Sequence, residues 1–198
     1  MIPDVRKLIR RVVLAFGITL VVSAIGTIAI GHASGNGDSL ARSLLLAFTP
    51  AFFAASIACW TTIIPVSGGE RDIFGADQVL HKKVIGVVMN RSSHRLVDGI
   101  ETTEQLTAPQ RMLAARFASI QTVSAPFQVG QGLFALIAMM FFAASHLVDG
   151  QDEFDAAYVF TLAFGAVTIA AVLPFAHCRW RTIKQYRDDH QDDLVDAT

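Results

Sequence analysis

Histidines and carboxylates near the ends of two apolar stretches could ligate a cofactor or a metal ion. His32 directly follows one long apolar run and His146 lies near the end of another, and two histidines at matching depth are the axial ligands of a b-type haem. Carboxylates follow one of them directly and are hard oxygen donors for a divalent cation, so the candidate metal ligands are His146, Asp149, Asp152 and Glu153. Helix capping and interfacial placement explain the same residues without a ligand. We therefore expect no cofactor and no metal, and a haem protein is the weaker alternative.

Thiol and phosphate chemistry have little support in the sequence. The two cysteines, Cys59 and Cys178, are far apart and form no Cys-x-x-Cys pair. Gly68-Gly69 is not followed by the Lys and Ser/Thr of a phosphate-binding loop. These absences argue against a disulfide oxidoreductase and a nucleotide hydrolase, and we expect the chain not to be an enzyme.

Four apolar stretches dominate the chain and would position any functional residue. They cover residues 12–31, 43–64, 127–148 and 156–176, and none contains Asp, Glu, Lys or Arg. About 20 helical residues at about 1.5 Å rise cross a hydrocarbon core of about 30 Å. The composition agrees, since 53% of the residues are hydrophobic and only 17% are charged. We expect an all-α integral membrane protein with four transmembrane helices in an antiparallel bundle.

The distribution of cations predicts the orientation of this bundle. Arg and Lys precede the first stretch, fill the connection between the second and third, and follow the fourth. The two remaining connections join the first stretch to the second and the third to the fourth, and Arg42 is the only Lys or Arg in them. By the positive-inside rule, both termini and the central connection lie in the cytoplasm, and the protein resides in the plasma (inner) membrane. The lipid bilayer is its expected partner, and nucleic acid is not.

This topology divides the chain into four regions. They are a first transmembrane hairpin (1–64), a cytoplasmic loop (65–125), a second hairpin (126–178) and a charged cytoplasmic tail (179–198). The loop begins with a stretch around residues 73–88 that fits either a helix or a short strand. Thr107-Ala108-Pro109 then predicts a helix start, and an amphipathic helix follows over residues 108–123.

One face of the predicted amphipathic helix could bind a cytoplasmic protein. Apolar residues recur at intervals of three and four beside two arginines, and the candidate docking residues are Arg111, Leu113, Arg116, Phe117 and Ile120. The same face could instead lie on anionic headgroups or on the ends of the bundle.

Polar groups inside the predicted spans could line a pathway or join helices. Gln128 and Gln131 lie near the inner end of the third span, and a row of small residues on the first span comprises Ser23, Thr27 and Gly31. Interhelical hydrogen bonding and close packing account for them as well as a pathway in an oligomer does. Trp60 and Trp180 near inner ends and Tyr158 near an outer end fit an aromatic belt.

Two functional hypotheses follow from these features. The first is a non-enzymatic multi-pass membrane subunit, homo-oligomeric through its small-residue faces, that anchors or senses for a cytoplasmic partner through its loop and tail. The alternative is a channel or transporter component whose pathway forms between protomers. No residue pattern identifies a substrate, an ion or a partner protein.

Overall fold

The structure, a computed structural model, describes residues 5–34, 40–75, 77–90, 106–148 and 156–192, with backbone alone at 31–34, 66–72 and 90. This part of the chain is helical. Its five helices are α1 (Val5–Ser34), α2 (Leu40–Phe74), α3 (Gln78–Asn90), α4 (Ala108–Val148) and α5 (Ala156–Asp189).

Four of these helices, α1, α2, α4 and α5, are long and apolar enough to cross a membrane. They extend beyond the apolar stretches that predicted them. The amphipathic segment 108–123 and the third span form one continuous helix across Pro126. Since α4 has 41 residues it is about 60 Å long, whereas a hydrocarbon core is about 30 Å thick. The chain is thus a multi-pass helical protein whose helices continue well past the length that lipid requires.

The chain divides into two compact units. The first consists of Pro3–Thr62 and Phe127–Leu173 and is called the span unit here. The second is built mainly from Ile63–Pro126 and Pro174–Thr198 and is called the cation-rich unit. Most of the region that the sequence predicts as a loop belongs to this second unit, and its described residues are largely the end of α2, α3 and the start of α4.

Within the span unit, α2 and α4 contribute the most buried surface. In α2, small side chains at every fourth position are buried: Ala47, Ala51, Ala55 and Cys59. The Sγ of Cys59 lies 3.5 Å from the position that a Cβ on Gly130 would occupy, so α2 and α4 approach closely here. The apolar windows of α1 and α5 are 0% and 6% buried, against 28% for α2. Few of the apolar residues in these windows of α1 and α5 are therefore buried within the chain.

A cluster of phenylalanines joins α1, α2 and α4 in the span unit. Phe52 lies at its centre, with ring centroids 5.0 Å from Phe16, 5.3 Å from Phe141, 6.1 Å from Phe134 and 6.2 Å from Phe48. Such offset and tilted pairs contribute about 0.5–1.5 kcal/mol each beyond their buried area. These contacts show which face of α2 is turned toward α1 and α4. Phe52 lies on that face, whereas the neighbouring Phe53 is 43% exposed.

The cation-rich unit has an apolar core of its own. Its buried residues come from α2, α3, α4, α5 and the turn before α4, and they are Phe74, Val84, Val87, Val88, Leu106, Ala114, Phe117, Ala118, Ile183 and Tyr186. The stretch that fitted helix or strand is helical in α3, whose apolar positions 80, 84, 87 and 88 share one face. These helices bury their apolar faces against one another.

Local capping interactions set the ends of the helices in this unit. Gly75, with φ 55°, ends α2 in the left-handed conformation that glycine adopts at least cost. The Oδ1 of Asp77 accepts hydrogen bonds from the amides of Val79 and Leu80, at 3.1 and 2.9 Å, which caps α3. The Oε1 of Gln110 accepts one from the amide of Thr107, so α4 begins where the sequence predicts a helix start.

Candidate functional site

The candidate haem and metal residues lie partly outside the described residues. Asp149, Asp152 and Glu153 fall there, and His32 belongs to the last turn of α1, where the backbone alone is described. His146 is in α4, where its ring stacks on Tyr158 at 4.8 Å and lies 4.7 Å from Phe142. Within the described ranges no three His, Cys, Asp or Glu residues are grouped to hold a metal ion. The environment of His146 is therefore an aromatic contact between α4 and α5.

The polar residues of the spans are engaged in two separate ways. Ser56 Oγ donates a hydrogen bond of 2.8 Å to the backbone carbonyl of Gln131, which links α2 to α4. Thr27 Oγ1 donates to the carbonyls of Ser23 and Ala24 on its own helix, at 3.0 and 3.1 Å. Gln128 is exposed on α4, and Gly31 lies in α1 where the backbone alone is described. These contacts join helices locally, and Gln128 is the member of the set whose side chain faces outward.

The five candidate docking residues differ in their accessibility. Arg116 is exposed, and Arg111, Leu113 and Ile120 are half-buried. Phe117 is 1% exposed and packs edge-on against Phe74 at 5.6 Å. The sequence predicts an apolar face on this helix. It does not reveal that residues of the same chain cover Phe117 on that face. Phe117 is thus a core residue of the cation-rich unit, and its ring is covered within the same chain.

Exposed cations surround this core. Lys82 on α3, Arg116 on α4 and Arg181 on α5 have exposed side chains, as do Arg179 and Lys184. Arg179 Nη2 lies 3.1 Å from Met89 Sδ, which places the end of α3 beside α5. Arg187 forms an ion pair of 2.6 Å with the neighbouring Asp188. The described part of this unit therefore carries exposed cations on α3, α4 and α5 over a packed core, and these cations are the candidate functional site. Exposed acidic residues lie in the same unit, at Asp77, Asp188, Asp189 and Asp192.

Trp180 has a structural contact that the aromatic-belt prediction does not include. Its Nε1 donates a hydrogen bond of 3.1 Å to the backbone carbonyl of Thr122, 58 residues earlier in the chain. A sequence signal for this contact exists, because Pro126 follows Thr122 by four residues and deprives its carbonyl of the helical donor. The partner residue could not be identified from the sequence, since several side chains near the end of α5 can donate.

The two cysteines differ in exposure and predict selective labelling. Cys178 is exposed in the cation-rich unit and Cys59 is buried in the span unit. Since thiol alkylation requires access to the sulfur, N-ethylmaleimide should modify Cys178 alone in the folded protein. Intact mass should show one adduct in mild detergent, two after denaturation in SDS, and none in folded Cys178→Ser. Two adducts before denaturation would contradict the burial of Cys59.

Close packing of α4 and α5 at Gly165 gives a second prediction. A Cβ at this position would lie 2.5 Å from Met140 Sδ and 2.7 Å from Met140 Cγ. Gly165→Val should therefore destabilise the span unit by about 1–3 kcal/mol, and adding Met140→Ala should restore part of the loss. Gly132→Val is the matched control, because nothing lies within 4 Å of its Cβ position. Circular dichroism during thermal unfolding in detergent measures the stability of both glycine variants. Equal destabilisation by Gly165→Val and Gly132→Val would contradict the close packing at Gly165.

Comparison with known proteins adds no relative. No protein-family model matches the chain, and no curated protein or solved structure matches it either. The described residues therefore define the class by themselves: a helical, multi-pass membrane protein with four helices long and apolar enough to span the bilayer.

Proposed function

We propose that this protein is a non-enzymatic, homo-oligomeric membrane subunit that holds or senses a cytoplasmic protein partner through its cation-rich unit. The positive-inside rule supports a location in the plasma (inner) membrane with both termini in the cytoplasm. The helices α1, α2, α4 and α5 supply the membrane anchor. On this proposal the cation-rich unit lies on the cytoplasmic side.

The observation that carries the proposal is a folded apolar core with exposed cations around it. Residues of the core such as Val84, Phe117 and Ile183 are 0–1% exposed, which gives the unit a fixed shape. Lys82, Arg116 and Arg181 are exposed on three different helices of this unit. Fixed, exposed cations steer and select an acidic protein surface, and anionic headgroups of the inner leaflet attract the same charges.

Photo-crosslinking in intact cells tests the proposal. A photoreactive residue in place of Gln185, exposed on α5, should form adducts with a second protein as well as with a second copy of this chain. Reversing the charges with Lys82→Glu, Arg116→Glu and Arg181→Glu should abolish the hetero-adduct, because an acidic partner would be repelled.

Charge-conserving changes provide the control. Lys82→Arg, Arg116→Lys and Arg181→Lys keep the basic surface and should keep the hetero-adduct. Circular dichroism must show equal helix content in the two triple variants, so that loss of binding is not loss of folding. A hetero-adduct that survives charge reversal would refute recognition through the basic surface.

A channel or transporter component is the second candidate function, and one observation favours it. Gln128 is exposed on α4 although the helix is apolar beyond it, and an amide facing hydrocarbon is costly unless another chain or water solvates it. A pathway between protomers would supply that solvation. Flux through liposomes should then fall in Gln128→Leu and Gln131→Leu, and liposomes that show no flux with the wild-type protein would exclude this function for the solutes tested.

A further inference from the structure

The side chains of His177, Trp180 and Lys184 share one face of α5 and are called the α5 row here. They are spaced three and four residues apart, so the helix places them one above the other. The ring centroids of His177 and Trp180 are 6.4 Å apart, and Lys184 Nζ lies 5.4 Å from the centroid of the Trp180 ring. His177 and Lys184 are exposed and Trp180 is half-buried, so the row is open to the surroundings.

The sequence of the same helix indicates the depth of the α5 row in the membrane. The uncharged apolar stretch 156–176 ends directly before His177. At about 1.5 Å rise per residue this stretch is about 31 Å long, which matches a hydrocarbon core of about 30 Å. The polar headgroup layer that follows is about 5–8 Å thick on each side of the bilayer. His177 therefore lies where this layer begins.

The ammonium group of Lys184 is directed back toward the headgroup layer. Side chains of a helix lean toward its N-terminus, and Lys184 Nζ accordingly lies over the ring of Trp180, one turn earlier. Trp180 is about 6 Å beyond the apolar stretch, within the thickness of the headgroup layer. The charge of Lys184 is therefore held at the depth of the phospholipid phosphates.

The ring of Trp180 is fixed, and the other two side chains of the row keep their donors. Its Nε1 donates to the carbonyl of Thr122 at 3.1 Å, and both residues belong to the cation-rich unit. Tyr186, on the other side of α5, is 0% exposed in the core of the same unit. The imidazole of His177 has at least one N–H donor and the ammonium of Lys184 has three. The row thus combines a rigid aromatic ring with two exposed donor groups.

Negative charge appears on α5 only beyond the row. From His177 to Arg187 the sequence carries four Arg or Lys residues and no carboxylate. The first acidic residue is Asp188, about 18 Å beyond the apolar stretch, and it pairs with Arg187 at 2.6 Å. A negatively charged layer of headgroups therefore meets cations at its own depth, and the acidic residues follow outside it.

We propose that the α5 row binds the phosphate group of an anionic phospholipid, in the leaflet whose headgroups lie at the level of His177. Lys184 provides the positive charge, His177 donates a hydrogen bond, and Trp180 lines the site with an aromatic ring at headgroup depth. The acyl chains of this lipid stay in the bilayer. The site requires no protein partner, and Arg181, which lies beside the row, is left unchanged in its test.

Quenching of Trp180 fluorescence by brominated lipids measures this binding. Trp60→Phe leaves Trp180 as the single tryptophan, and this protein is reconstituted in phosphatidylcholine vesicles that contain brominated phosphatidylglycerol or brominated phosphatidylcholine. The anionic lipid should be preferred at least about 5-fold, the effect of one cation near an anionic surface. Lys184→Gln should abolish most of this preference, and Lys184→Arg should keep it.

Arg179→Gln is the matched control, because it removes the same charge one residue from Trp180. Arg179 is outside the row, and its Nη2 lies 3.1 Å from Met89 Sδ on α3. The preference should change by less than about 2-fold, since a charge across a helix about 10 Å wide is largely screened at physiological ionic strength. Equal losses in Lys184→Gln and Arg179→Gln would show diffuse attraction to the membrane and would overturn the site.

Two further outcomes are measured with the α5 row unchanged and therefore do not depend on how its variants fold. Inorganic phosphate in excess over the lipid should leave the quenching unaltered, and displacement of the brominated lipid would overturn the assignment to a lipid headgroup. Equal quenching by the two brominated lipids would also overturn it, as expected if an acidic protein occupies this face. The vesicles contain no other protein, so either result is independent of the partner proposed for Lys82, Arg116 and Arg181.

Discussion

Replacement of Phe117 by alanine is expected to lower the free energy of unfolding of the cation-rich unit by about 3–5 kcal/mol. The Phe117 ring is 1% exposed and lies 5.6 Å from Phe74 and 6.0 Å from the His81 ring. Removing it leaves a cavity, because the closely packed helices of this core cannot readily move together to fill the space. Trypsin cleavage after Lys82, exposed on α3, reports local unfolding and should become at least about 100-fold faster.

Phe175→Ala provides the matched control in the same unit. This side chain is 70% exposed, so its removal opens no cavity and should leave the rate of cleavage after Lys82 near that of the wild type. Equal acceleration by the two substitutions would contradict the assignment of Phe117 to the core. It would also return Phe117 to the set of residues available for docking a partner.

Replacement of Phe52 by alanine is expected to destabilise the span unit by roughly 2–6 kcal/mol, because four ring contacts of about 0.5–1.5 kcal/mol each are lost together. Three of these contacts join α2 to other helices, through Phe16 on α1 and through Phe134 and Phe141 on α4. The fourth is with Phe48 on α2 itself. Lipid does not compensate, since packing rather than exclusion from water holds helices together in a bilayer. The midpoint of SDS-induced unfolding, followed by circular dichroism, measures the loss.

Phe53→Ala tests the same chemistry one residue further along the helix. Phe53 is 43% exposed, and its removal should shift the SDS midpoint only slightly. A larger shift for Phe53→Ala than for Phe52→Ala would mean that α2 presents a different face to α4. The pair of variants therefore measures the rotation of α2 directly.

The sequence predicts the spanning helices well because an apolar run of fixed length is a direct consequence of bilayer thickness. The ends of the helices are harder to predict. The apolar stretch 43–64 stops ten residues before α2 ends at Phe74, since a helix can continue in water wherever another helix covers it. The stretch that contains α3, a helix of 13 residues, fits either a helix or a short strand in the sequence because Gly75 and Gly86 interrupt its apolar pattern.

The candidate site was predicted less completely than the fold. Arg116 lies exposed on α4, but the periodicity that marked Phe117 as part of a docking face equally marks a buried residue. The phenylalanine cluster around Phe52 was not predicted, because 14 phenylalanines along the chain permit many pairings. The contact of Trp180 with Thr122 required the spatial neighbourhood of two helices, although the missing donor at Pro126 was visible in the sequence.

The hydrogen bond from Ser56 to the Gln131 carbonyl has a consequence for biosynthesis, because it joins residues 75 positions apart. At about 5–20 residues per second, a ribosome needs roughly 4–15 s to make the intervening chain. During that interval α2 resides in lipid without α4, and the Ser56 hydroxyl can bond only within its own helix turn. The nascent first hairpin must therefore persist for seconds as an incomplete intermediate, and its central phenylalanines are solvated by acyl chains until the later helix arrives.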